Sequence, residues 1–485
     1  MIKPQYPYSI ILMMIIIFLS AFILGGCSEI EKKNPVNTSS ESTVVLPPLD
    51  RVLPDDPYLF LPLEHVRFLL TFTEEVDLAV LEESISFEPK VDFRIRSFNR
   101  SPEEIYLNLQ EKLKSDTLYT LELRNVQNEF TGKTETLKFT YRTEFKGDKQ
   151  IANPQWSQNG EEIIYMLHPD ESDTAELWKK SLKDGNEQLL VSGLSWPGRV
   201  SWSPDCKTIL YTKMVTQPVE RYPVPEVRLL DLDRMKEKVV VSASELGKIV
   251  DFGPFNVYSW WSPDGKKIAL QLDLGGVDAH SDMIRSMAVV DSDGRDLNRV
   301  EGQIFVGWQD DVSLLVLKTH QNFNHSHSYR YDLFLADAYG KEAARLLLGE
   351  GQIHNFDRAS QSDDFNTIVI GQWKSLDTGK MFKNEGTNLF VYDGTQNTLT
   401  PFGLDQGYQK HPAISPVEKE IAFTSNKDGN WNLYLWKNGV IKQLTNDPAH
   451  ELYPVWSPKG DKIAFVSSRS GSEEIWVLDL STGIF

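Results

Sequence analysis

Cysteine is almost absent from this chain. Two in 485 residues are too few for a disulfide framework, and they exclude a structural zinc site built on thiolates. Positive charge is also in short supply. Lysine and arginine number 50 against 69 aspartates and glutamates, a formal net charge of -19. The clustered cations that grip phosphates are therefore missing and no nucleic-acid partner is expected. Catalytic and cofactor signatures are missing as well. There is no HExxH, CxxC, phosphate loop, dinucleotide fingerprint or Gly-x-Ser-x-Gly elbow, so the chain is expected to hold no cofactor and no metal and not to be an enzyme. Core material is present in quantity. With 40% hydrophobic, 11% aromatic and 25% charged residues the chain reads as globular, and its length is about three times that of a typical domain.

One apolar run stands out, Ile10 to Leu24, preceded by Lys3 and followed by Gly25-Gly26-Cys27. It falls short of the roughly 20 residues that cross hydrocarbon comfortably, and small residues before a cysteine suit a signal peptidase; an uncleaved anchor helix is the alternative. The segment resembles a bacterial lipoprotein signal peptide over residues 1–26. The resemblance implies cleavage before Cys27, diacylglyceryl attachment to its thiol and acylation, for instance by palmitate, of the new amino group. The implied location is the extracytoplasmic side of a bacterial cell membrane, with the lipid as the membrane contact; several acyl chains anchor stably where one is marginal. Residues 27–50 follow as the lipidated cysteine and a polar tether. About 22 such residues hold the first domain some 25 Å from the anchor.

Residues 51–145 carry short period-2 runs: Val66 to Phe72, Val91 to Ile95, Ile105 to Leu109, Leu118 to Leu123 and Leu137 to Tyr141. No stretch keeps helical periodicity for long, so a small β-sandwich is expected. The segments Leu70 to Asp77 and Leu113 to Leu121, then Asn125-Val126 and Gly132, resemble the bacterial Ig-like domain of surface-layer proteins, which implies a spacer or adhesive module. Glu74, Glu75 and Asp77 invite a calcium reading, and a solvated turn explains them more simply.

From Asn153 onward the chain repeats itself. The clearest copies are Trp202-Ser203-Pro204-Asp205, Trp261-Ser262-Pro263-Asp264-Gly265 and Trp456-Ser457-Pro458-Lys459-Gly460, with weaker ones at Trp156-Ser157, Trp308-Gln309, Gln361-Ser362 and Ile414-Ser415-Pro416. Anchored on the serine, the register is 157, 203, 262, 309, 362, 415 and 457, averaging 50 residues per step. Six residues after each anchor stand Ile163, Ile209, Ile268, Leu315, Ile368, Ile421 and Ile463. All are aliphatic. Eight after stand Tyr165, Tyr211, Leu270, Leu317, Ile370, Phe423 and Phe465, on the same side of a strand. A third strand follows in each unit and a fourth in all but the last, which is the pattern of a propeller blade, and a closed ring protects strand edges that a solenoid exposes. The hairpin resembles the repeats of TolB-type propellers over residues 153–485, with seven units where TolB has six and a different upstream domain. The expected fold is all-β: a small Ig-like sandwich followed by a seven-bladed β-propeller at residues 146–485. Because the last repeat stops one strand short, the stretch from Thr143 to Gln150 is expected to supply its missing outer strand.

The recurrent serine invites a hydrolase reading, since TolB-like propellers also precede the catalytic domains of prolyl oligopeptidase relatives. Without the elbow, the Ser-Pro-Asp-Gly turn is simply a turn, with Pro fixing φ and Gly accepting φ > 0, while the tryptophan packs between blades. Cys206 replaces glycine in one such turn, which predicts a free exposed thiol and a different turn type. His320, His325 and His327 suggest a zinc or copper site less simply than a solvated hairpin loop, and Asp291 to Asp296 reads as a hairpin turn in preference to a calcium loop. Four residues before each anchor lie Asn153, Arg199, Tyr258, Phe305, Arg358, His411 and Tyr453. Equivalent positions in a closed ring circle its axis, and this polar-aromatic set with two guanidinium groups suits an acidic peptide or carbohydrate; lining a hydrated channel is the blander alternative. The expected role is a protein- or glycan-binding and scaffolding platform acting through the propeller face, with a protein or cell-envelope glycan as partner. The second reading is a cell-surface glycan lyase or glycosidase with its site at the axis, because carboxylates from distant blades leave no local signature.

Overall fold

The computed structural model describes residues 45–54, 60–98, 101–216, 223–249, 256–274, 285–320, 330–354, 356–361, 367–375 and 384–481. Cys27 and the apolar segment before it lie outside this set. Two compact units emerge: one ends at Asp55 and resumes over Leu61–Tyr141, while the other combines Asp56–Phe60 with Arg142–Phe485. Both are built of strands, and two short helices are the exceptions to the all-β expectation. Among the described residues no helix is long and apolar enough to cross a membrane.

The first unit contains β1 (Leu49–Leu53), β2 (Phe60–Leu61), β3 (Arg67–Phe72), helix α1 (Leu78–Ser84), β4 (Ile85–Glu88), β5 (Phe93–Phe98), β6 (Ser101–Leu109), β7 (Leu118–Gln127) and β8 (Thr134–Thr143). They form two four-stranded sheets, ordered β1-β3-β6-β5 and β2-β8-β7-β4. Alternation explains the pairing of the sheets. Along β3, Phe68, Leu70 and Phe72 are buried while Arg67 is exposed, and the buried set joins Ile105, Leu107, Leu121 and Leu123 in one core. Two expectations change here. Residues 45–50 are not tether: Leu46 is buried and its backbone bonds to Asn125 and Gln127. Asp77, read as part of a solvated turn, is the N-cap of α1 and accepts from Ala79 N at 2.8 Å. At seven residues this helix is too short for its periodicity to register.

The second unit is a succession of antiparallel meanders. Residues 149–194 and 200–241 each form one, and the two share a single pair, Leu194 with Lys213, that joins them in one eight-stranded sheet. Four-stranded sheets follow at residues 256–300, 304–354, 356–402 and 409–443, and a three-stranded one at residues 451–479. A seven-residue helix, α2 (Ala243–Ile249), sits between the second and third meanders. Ser242 and Glu245 start it by exchanging side-chain bonds with each other's backbone N–H.

Each consecutive pair of meanders shares a hydrophobic cluster. The last one packs on the first in the same way: Ile151, Trp156, Ile163 and Tyr165 meet Ala464, Val466 and Ile475. The circuit therefore closes on itself. It does not close as expected, however. Lys149 and Gln150 are the start of the first strand of the first meander, paired with Pro169 and His168, and the last sheet keeps three strands among the described residues. Once that segment's ladder bonds go to its own meander, none remain for the far edge of the last one.

Candidate functional site

The two ends of the circuit differ in chemistry. At one end stand the serine turns. In four of them the anchor serine is a bonding hub: Ser157, Ser203, Ser262 and Ser457 each accept from the backbone N–H five residues on, at 2.9–3.0 Å. Each hydroxyl donates in turn to the carboxylate or amide of Asn159, Asp205, Asp264 or Asp461. All four serines are buried. A hydroxyl committed in both directions inside a turn is an element of the fold. The donation from Ser203 is the main reason the Asp205 carboxyl sits below its ordinary range. Cys206 departs from expectation: its φ is 54° and its N–H bonds Ser203 O at 2.8 Å, as Gly265 (φ 69°) bonds Ser262 O and Gly460 (φ 69°) bonds Ser457 O. The turn type is the same, held left-handed by the Ser203–Asp205–Lys207 bonds in spite of the side chain.

The tryptophans reach backward. Trp202 Nε1 donates to Gln155 O at 3.4 Å, Trp456 Nε1 to Ala413 O at 2.9 Å, and Trp156 Nε1 to Val455 O at 3.1 Å. In each case the acceptor lies on the first strand of the preceding meander, and for Trp156 the preceding meander is the last one.

Six of the seven positions four residues before the anchors fall on first strands, and Arg199 stands immediately before the first strand of the second meander. Three of them are bulged: Asn153 (φ 52°), His411 (φ 52°) and Tyr453 (φ 54°) are left-handed, each precedes a proline, and each sits where the register of its strand pair slips. Proline lacks the N–H that a bulge leaves unpaired. The side chains form a ladder between neighbouring meanders. Asn153 Nδ2 donates to Gly198 O at 2.7 Å. The Arg199 guanidinium lies 5.5 Å from the Trp260 ring, which stacks on Phe305 at 4.4 Å. Tyr258 packs 6.4 Å from Trp260, and the His411 and Tyr453 rings meet at 4.0 Å. Phe305 and His411 are buried, while Asn153, Arg199, Tyr258 and Tyr453 are half-buried. The side chain of Arg358 lies outside the described residues.

Two carboxyls near this end were not legible as special. Glu451, fully buried at the start of the last meander's first strand, is held by Arg469, whose guanidinium also bonds Ser467 and lies over Trp476. Burial pushes its carboxyl up. Glu473 accepts from Ile151 N, and desolvation raises it to about 7. No local pattern marks either residue: Glu451 meets Arg469 from just beyond the neighbouring strand of its own meander, and Glu473 meets Ile151 from the far end of the unit.

Of the remaining candidates, His320 bonds Asp332 at 2.8 Å, and His325 and His327 lie outside the described residues. Asp291 to Asp296 form a hairpin turn in which Asp291 pairs with Lys267. Among the described residues no cluster of three or more metal-ligating side chains occurs.

Residues 376–485 match the family model described as PD40, TolB beta propeller domain. No curated protein matches the chain. Solved structures similar to it include the following three. The β-propeller domain of the trilobed protease from Pyrococcus furiosus, described as having an open velcro topology, is 16% identical with a TM-score of 0.48 over 68% of this chain and 95% of that one. Oligogalacturonate lyase from Vibrio parahaemolyticus is 11% identical with a TM-score of 0.49 over 76% and 98%. TolB from Acinetobacter baumannii is 17% identical with a TM-score of 0.38 over 61% and 62%. The expectation that the chain is not an enzyme is overturned here. Similar solved structures include an acylaminoacyl peptidase, an oligogalacturonate lyase and prolyl endopeptidases, and a missing Gly-x-Ser-x-Gly elbow argues against one class of hydrolase only, not against enzymes in general.

Proposed function

We propose that this chain is a lipid-anchored extracytoplasmic protein whose second unit is a seven-bladed β-propeller that captures a protein or envelope-glycan partner at its axial mouth. In this reading Cys27 carries the lipid and the first unit is an Ig-like stalk. The observation that carries it is the bulged set Asn153, His411 and Tyr453. A left-handed backbone at a non-glycine residue costs about 1–3 kcal/mol and persists mainly where surrounding structure and function hold it. Here it recurs at one register position in three separate meanders, beside Arg199 and the aromatic ladder. An acidic, ring-bearing ligand matches that chemistry. Crosslinking the intact protein in its native membrane and identifying what is captured tests the reading. Capture lost in Arg199→Ala and His411→Ala, with folding intact, supports it; unchanged capture rejects it. Palmitate labelling that disappears in Cys27→Ser tests the anchor separately.

A second reading, a glycan-active enzyme at the same mouth, is favoured by one observation. Glu451 lies two residues from Tyr453 on the same strand, and a carboxyl raised by burial is suited to hold a proton for acid catalysis. Turnover of acidic oligosaccharides that is abolished by Glu451→Gln in a folded protein would establish it.

A further inference from the structure

The outward face of sheet β1-β3-β6-β5 runs against the charge of the chain. Register places Arg94 beside Asn108 and Asn108 beside Arg67, then Arg96 beside Tyr106 and Tyr106 beside Leu69, with Arg51 beside Thr71 at the far edge. Arg67, Arg94 and Arg96 are exposed. In a chain of net charge -19, most described cations of the second unit's strands sit against carboxylates, as Lys179 does on Glu162 and Arg228 on Glu226 and Glu237. Arg67, Arg94 and Arg96 do otherwise. Arg67 bonds Asn108 Oδ1 at 2.8 Å and lies 5.9 Å from the Tyr106 ring, and Arg94 and Arg96 have no carboxylate partner among the described residues. Acids also lie on or beside the face: Glu104, Asp92, Asp50 on β1, and Glu111, which accepts from Asp92 N. Guanidinium groups held in rows on one sheet face, with a tyrosine and a leucine between them, match an array of phosphodiesters at an apolar boundary.

We infer that this face docks on anionic phospholipid headgroups of the membrane that carries the anchor. The inference rests on the anchored reading above and extends it by saying how the first unit lies. Each arginine near an anionic surface is worth about a fivefold gain in binding. Three give weak binding from solution. They suffice once a tether of about 20 residues holds the unit at millimolar effective concentration. The acidic remainder of the protein opposes the contact only weakly, because repulsion beyond about 10 Å is screened at 0.1 M salt.

The test uses the chain from Ser28 onward, which retains every described residue and carries no lipid. Sedimentation with vesicles of 40 mol% phosphatidylglycerol in phosphatidylcholine, at about 0.1 M salt, should give at least tenfold more binding than pure phosphatidylcholine, and Arg94→Glu with Arg96→Glu should abolish the difference. Arg94→Gln with Arg96→Gln, which removes charge without adding repulsion, should fall between and serves if the double reversal fails to fold. Equal binding to both vesicles, or full binding by folded variants, overturns the inference. So does preferential binding of a soluble acidic polysaccharide such as polygalacturonate that vesicles fail to displace. Palmitate labelling at Cys27 is independent of every arm, so loss of the docking face and loss of the anchored reading are distinguishable.

Discussion

Two junctions in the second unit solve one problem by different means. Between the first and second meanders the chain continues from strand to strand, and a shared pair, Leu194 with Lys213, knits both into one sheet. Between the last and the first there is no shared strand among the described residues. That junction has its own polar ties: Trp156 to Val455 O, Ile151 N to Glu473, and Ser472 to Asp148 at 2.7 Å. Similar apolar packing lies beneath both. The difference teaches that face-to-face packing closes the circuit and that hydrogen-bonded strands are optional, provided side chains fix the register of the seam.

The comparison breaks first at Trp156. Replacing it with alanine removes a buried ring and an indole bond across the seam and should cost about 3–5 kcal/mol. Trp202→Ala, half-buried at the continuous junction with a longer bond, should cost distinctly less; equal losses in denaturant unfolding of the two variants would show that the seam has no special dependence. The next largest effect is acid-base. The folded carboxyl of Glu473 sits at about 7, above its unfolded value, so the folded state holds the extra proton. Its favourable contribution is complete below the unfolded value near 4.3 and is lost as pH rises to about 7, at most about 4 kcal/mol and less for any solvent access. Glu473→Gln should flatten melting temperature between pH 5 and 7 while keeping an acceptor for Ile151; a profile as steep as the parent's would exclude Glu473 as the cause. Ser457→Ala, which orphans the Lys462 N–H, should cost about 1–2 kcal/mol and leave partner capture unchanged, whereas loss of capture without loss of stability would reopen a chemical role for that hydroxyl. The smallest effect has the opposite sign. Cys206→Gly should gain about 1 kcal/mol because the turn is left-handed, and Cys206→Ala should gain nothing, as thermal melts would reveal.

The serine register was readable because a serine in that turn acts on its own backbone within five residues. The aliphatic positions were readable because period-2 burial is a local pattern. The bulges were half visible: Asn153, His411 and Tyr453 each stand before proline, but the sign of φ is set by the strand they pair with. Glu473 could not be seen in advance, since its acceptor role depends on Ile151, 322 residues earlier. The outer strand expected from Thr143 to Gln150 failed for a related reason, because a strand former can pair on either edge and only the competing ladder decides. Net charge concealed the arginine face entirely, as averaging over 485 residues hides what one sheet collects.

The serine turns interlock at their tips. A methyl group added at Gly460 would come within 2.3 Å of Val417, and one at Gly265 within 3.3 Å of Pro204, whereas one at Gly185 or Gly439 would meet nothing within 4 Å. Engineering access to this molecule is therefore lopsided: epitope tags, fluorophores or whole fusion partners belong in the outer hairpins around Gly185 and Gly439, while lengthening the inner tips by even one residue would wedge neighbouring sheets apart.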